Sequence, residues 1–76
     1  MSRAHLSAIE LAILKALANG MQSKEIAALV GRRRATVEWY VRMLLVKLDA
    51  RSRPHLVARA LCSGAIGRED IDTEAI

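Results

Sequence analysis

The sequence predicts an all-α fold of four helices. Thirteen alanines, with many Leu, Ile and Val, make a helix-favouring composition. Apolar residues recur at helical spacing in four successive segments. Three of those segments open on a serine able to cap them and close on a glycine: Ser7 to Gly20, Ser23 to Gly31, and Ser52 to Gly64.

The first helix is expected at about residues 8–19. Ser7-Ala-Ile-Glu10 is a capping box, in which hydroxyl and carboxylate close the first turn. Ile9, Ile13 and Leu17, with Leu6 just ahead, fall on one face, and Gly20 fits the left-handed position after the helix. Ser23 is expected to cap a second helix at about 24–30, which Gly31 stops. Ile26, Ala27, Leu29 and Val30 form its apolar side, and Glu25 suits the positive end of the helix dipole.

The third helix is expected at about 34–48. Val37, Val41, Leu44 and Leu48 make its core stripe, flanked by Tyr40 and Leu45. The other face carries Ala35, Glu38, Trp39, Arg42, Met43 and Val46. Trp39 therefore points away from the core. It either covers part of its own helix or meets a groove or a partner. After a turn over 49–53, Ser52 is placed to cap a fourth helix at about 53–63, where Pro54 is tolerated in the first turn. Leu56, Val57, Ala60 and Leu61 form its core face, and Ala58, Cys62 and Ala65 extend the apolar surface round the side. So broad an apolar girth fits a wide core contact or a second partner, and the partner is favoured.

Seventy-six residues make one small domain, with no room for a catalytic or sensor domain beside it. The net charge of +4 is unevenly spread. Residues 1–66 carry +7, and residues 67–76 carry −3. The expected organisation is a basic domain over 1–66 and an acidic, flexible tail over 67–76. A basic body suits a polyanion, because neutralised phosphates release counterions; a merely solvated basic surface is the alternative. With Cys62 alone, no intrachain disulfide forms, and a reducing cytoplasm is the natural setting. No apolar run approaches the length of a membrane span, and no signal-peptide apolar region is present.

Between Ser23 and Arg42 the order is short helix, glycine-marked turn, Arg32-Arg33-Arg34, then a longer helix. That is the pattern of a helix-turn-helix reader of double-stranded DNA, in which the second helix enters the major groove. The cations stand where chain and phosphates would meet.

These residues resemble the LuxR-type (GerE-type) helix-turn-helix family, without a gap from Leu6 to about Ile66. The resemblance rests on Leu6-Ser7, Glu10, Gly20, Ser23-Lys24-Glu25-Ile26-Ala27, Thr36-Val37, Lys47-Leu48 and Arg51-Ser52-Arg53. It implies a four-helix domain that binds DNA as a homodimer through its fourth helix, in a bacterial or phage setting. It further implies base contacts from Glu38, Trp39 and Arg42, which Arg34 joins in the expected set. Lys24, Thr36 and Lys47 are expected on phosphates or fixing the docking, with Arg32, Arg33, Arg51 and Arg53 also on phosphates. Ala58, Leu61, Cys62 and Ala65 are the expected dimer contact. The chain departs from the family at three positions. Arg33 replaces the usual serine cap, Glu38 a usual Lys, and Tyr40 a frequent His. The chain is similar to short stand-alone members, whose control would come from synthesis, partner subunits or degradation.

His5, His55 and Cys62 match no zinc spacing, and nothing groups as a catalytic triad or phosphate loop. No metal, cofactor or enzymatic activity is expected. Two other functions remain in view. One is a small antagonist that pairs with a larger LuxR-type regulator, which Glu38 and the acidic tail would suit. The other is a sigma-factor-like promoter module; RNA polymerase is a further candidate partner.

Overall fold

In the computed structural model, which describes residues 5–72, four helices follow one another: α1 (Ala8–Ala18), α2 (Ser23–Val30), α3 (Arg34–Lys47) and α4 (Arg53–Ser63). A short 3-10 turn, Arg68–Asp70, follows α4. Residues 1–4 of the expected domain and 73–76 of the expected tail lie outside the described residues.

Local chemistry sets most boundaries. The Ser7 hydroxyl accepts from the Glu10 amide at 3.2 Å, and the Glu10 carboxylate accepts from the Ser7 amide at 2.9 Å, so the capping box closes. Ser52 caps α4 by accepting from the His55 amide at 3.2 Å. Gly31 ends α2 with φ +68°, in the left-handed region where a side chain is strained. The α2 start departs from expectation. Gln22, not Ser23, takes the cap position, and its amide donates to Glu25 at 2.8 Å. Ser23 begins the helix and is buried, with its hydroxyl turned to another helix. The α3 end was unmarked in the sequence: Asp49 takes φ +53° there, doing without glycine.

α1 and α3 each pack against all three other helices. Ile13, Leu14, Ile26, Val37, Leu44 and Leu56 have no solvent exposure, and each contributes about 1.5–3 kcal/mol by leaving water. The predicted α3 stripe is buried as expected. On α1 the deepest residues are Ile13, Leu14 and Ala16, while Ile9 and Leu17 pack at the margin. Leu29 and Leu61, expected on core faces, are 62% and 38% exposed. Ile66, beyond α4, is buried.

Residues 67–72 depart from the expected frayed tail. Asp70 pairs with Lys15 of α1 at 3.3 Å, and its carboxylate accepts from the Gly67 amide. The Asn19 side chain donates to the Asp70 carbonyl and accepts from the Asp72 amide. The negative segment is drawn onto a cation of the basic body, and Asn19 satisfies its backbone.

Glu10 is the one buried acid among the described residues. Lys47, at the end of α3, donates to both its oxygens at 2.9 Å and to the His5 carbonyl at 3.2 Å. All three ammonium donors are thereby used inside the fold. Lys47 was expected on phosphate or fixing the docking; here it ties α3 to α1, with its side chain still 40% exposed. The tie keeps the Glu10 carboxylate paired, where an unpaired one would be costly.

The Ser7 amide, and then Lys47, hold the Glu10 carboxyl below its ordinary 4.5. A depressed carboxyl stabilises the fold above its unfolded pKa, and that contribution is lost as pH falls through the lowered value. Thermal stability should therefore be level near neutrality and fall in acid below about pH 4.5, and Glu10→Gln should flatten part of that fall. Lys47→Met should destabilise by about 1–3 kcal/mol at pH 7, by leaving the carboxylate unpaired. A melt unchanged in Lys47→Met would show the pair to be dispensable.

Candidate nucleic-acid interface

The turn Gly31-Arg32-Arg33 delivers the chain from α2 into α3. With α3's core stripe buried, the opposite stripe stands in solvent. Arg34, Ala35, Trp39, Arg42 and Val46 are all exposed. Trp39 is 49% exposed and Val46 75%. Seven residues apart, these two lie within about 20° of each other round the helix. Trp39 is braced by Tyr40, with ring centroids 5.2 Å apart and planes at 75°. That edge-to-face contact restrains the indole without burying it.

Cations border this stripe. Lys24 is exposed in the first turn of α2, Arg32 and Arg33 in the turn, and Arg51 in the α3–α4 turn. Thr36 is half-buried. None of Lys24, Arg32, Arg33, Arg34 and Arg42 forms an ion pair among the described residues. Their charges therefore remain available to a polyanion.

Arg33 stands at the α3 cap with extended backbone (φ −70°, ψ 151°), and no side chain caps the helix. The first amides of α3 are left to solvent or a ligand. Three arginines beside this positive helix end repel it, and a bound anion relieves both deficits.

Glu38 and Arg53 are tied to each other. Arg53 Nη2 donates to Glu38 Oε1 and to Ser23 Oγ, both at 2.9 Å. The Ser23 hydroxyl, then Arg53, with Arg34 nearby, hold the Glu38 carboxyl below its ordinary range. Sequence reasoning placed Glu38 facing bases and Arg53 facing phosphate, as separate groups. It missed their pairing because the partners lie fifteen residues apart, on two helices. Ser23 was read as a cap and carries no signal of its own for this contact.

Arg59 donates through Nε to the Leu48 carbonyl and so closes the C-terminal end of α3 from α4. On α4's outer side Ala58, Leu61 and Cys62 are exposed; Ala65, expected beside them, lies past the left-handed Gly64 and packs half-buried against the core. No group of three or more potential metal ligands occurs among the described residues, and no helix there is long and apolar enough to cross a membrane.

The family model of the bacterial regulatory proteins of the luxR family (GerE) matches residues 4–60. Nothing matches the chain among curated proteins or among solved structures.

The uncapped α3 end makes a direct prediction. Arg33→Ser should stabilise the fold by about 0.5–2 kcal/mol, by adding a cap and removing a repelling charge. Thermal melts at low salt measure this. An unchanged or lowered midpoint would mean that Arg33 makes a compensating contact.

Proposed function

This chain belongs to the LuxR family of bacterial regulatory proteins, a family of DNA-binding transcription regulators, and we propose that it acts as a sequence-specific dimer on duplex DNA. The observation that carries the reading is the solvent-facing stripe of α3, bordered by unpaired cations. Placed in a major groove, α3 brings Arg42 and Trp39 to base edges. Arg42 can donate bidentately to guanine, and Trp39 offers apolar contact to a thymine methyl. Arg34 enters the groove beside them. Lys24, Arg32, Arg33, Thr36, Arg51 and Arg53 meet the flanking phosphates, and the first amides of α3 add a partial positive charge there.

The dimer contact is proposed on α4 through Ala58, Leu61 and Cys62, with Ala65 just beyond its end. Small residues let two helices approach closely, and Leu61 supplies an apolar group that the protomer leaves 38% exposed. A two-fold pair sets its recognition helices about one DNA turn apart, so the site is an imperfect palindrome. The antagonist reading drew on Glu38 and the acidic tail. Glu38 is paired with Arg53 and Asp70 with Lys15, which favours the DNA reading over the antagonist.

Selection from a random duplex pool, followed by titration at several salt concentrations, tests DNA reading. Log affinity should fall with log salt at a slope of about −0.9 per phosphate contact. Arg42→Ala should weaken the best site by about 1–3 kcal/mol and relax one base position. Binding that is absent at low salt, or flat with salt, overturns the reading.

Sedimentation with the selected duplex tests the dimer. Wild type should bind as two protomers, and Ala58→Asp should fold yet lose affinity and the second protomer. Saturation by one protomer on a non-repeated site would refute it.

A further inference from the structure

Arg34, Glu38 and Arg42 form one row of α3, spaced four residues apart, so each lies one turn above the last. Arg34 and Arg42 are exposed, and Glu38 between them is half-buried. A bare carboxylate in that row would repel phosphate. It is not bare, because Arg53 reaches across from the start of α4 and docks on it. The docked guanidinium is thereby set into the cation row of the recognition helix.

The donor arithmetic leaves something over. A guanidinium has five N–H donors, two of them on Nη2. Nη2 serves both Ser23 Oγ and Glu38 Oε1. Nε and Nη1 donate to nothing among the described residues, and the side chain is 38% exposed. The buried Ser23 and the half-buried Glu38 hold the Nη2 corner of a planar group, and the donors of Nε and Nη1 are left over.

We propose that Glu38 is a positioning residue for Arg53 and not a base reader: it holds the guanidinium by Nη2 so that the free Nη1 meets a DNA phosphate oxygen. This rests on the DNA-binding reading above and refines it. A guanidinium already fixed in place loses little side-chain freedom when phosphate arrives, and a charged N–H donor makes a strong bond to a phosphate oxygen. The result runs against simple charge counting. Removing an acid from a DNA-facing row should tighten binding through reduced repulsion; here it should loosen it.

The experiment titrates the full chain with the selected duplex and with the random duplex pool, at several salt concentrations. Wild type is compared with Glu38→Ala, Arg53→Ala, the double variant and Glu38→Gln, each with its own thermal melt. Arg53→Ala should weaken binding on every sequence and reduce the salt slope by about 0.9. Glu38→Ala should weaken binding on every sequence by roughly two- to five-fold, the span of a partly exposed ion pair, with base preference unchanged. Arg53→Ala should then cost less in the Glu38→Ala background than in wild type. Glu38→Gln, which keeps an oxygen to accept from Nη2, should lose less than Glu38→Ala. If Glu38→Ala does not fold, Glu38→Gln carries the same comparisons of affinity and preference. Tighter binding by the Glu38 variants overturns the proposal in favour of plain repulsion. Altered preference at one base position overturns it in favour of base reading. Either result leaves DNA binding standing, whereas a wild type that binds neither duplex nor pool overturns the DNA reading itself.

Discussion

Burial of Val37, Val41, Leu44 and Leu48 constrains the rest of the molecule, because it fixes which way α3 faces. α3 is held by all three other helices along this stripe. A helix buried on one side presents the other side whole, and here that side carries Arg34, Trp39, Arg42 and Val46. The apolar stripe sets the rotation of the helix. Two polar ties on its flanks then hold it: Lys47 to Glu10 of α1, and Glu38 to Arg53 of α4. The partly exposed Glu38–Arg53 tie contributes at most about 1 kcal/mol, less than a buried Leu or Val at about 1.5–3. The value of the two ties lies in direction, as each fixes a flank of α3 against a different neighbour.

The two ties treat their cations differently. Lys47 has three donors and directs them to Glu10 and the His5 carbonyl, while its side chain stays partly exposed. Arg53 has five and spends the two on Nη2, so it is anchored and still has capacity. Arginine and lysine are not interchangeable in these places. A planar fork can bridge two acceptors and face a third, whereas an ammonium is used up by a chelating carboxylate.

Charge also explains the segment after α4. The body is basic and residues 67–76 are acidic. Asp70 settles on Lys15, and Asn19 takes up the backbone around it. Ile66 buries just before, so the chain is already directed toward the body when the acids arrive. The tail's sparse apolar content predicted fraying, but it ignored Asn19, a side chain able to satisfy two backbone groups at once.

The sequence by itself determined the all-α class, the four helices to within a residue or two, and the family. Those follow from local rules: capping serines at 7 and 52, left-handed glycines at 20, 31 and 64, and apolar spacing. It also determined the exposed stripe, because periodicity on α3 is strong and a helix has only one opposite side. Tertiary structure alone decided which charged residues remain free. Lys47 lies about 140° round the helix from Arg42, so periodicity already set it off the face that carries Arg42, but only folding brought Glu10 to it across thirty-seven residues. Ser23 looked like a cap and became an acceptor for Arg53. A side chain's hydrogen-bond partner depends on what the fold carries to within about 3 Å of it, and no local pattern encodes that distance.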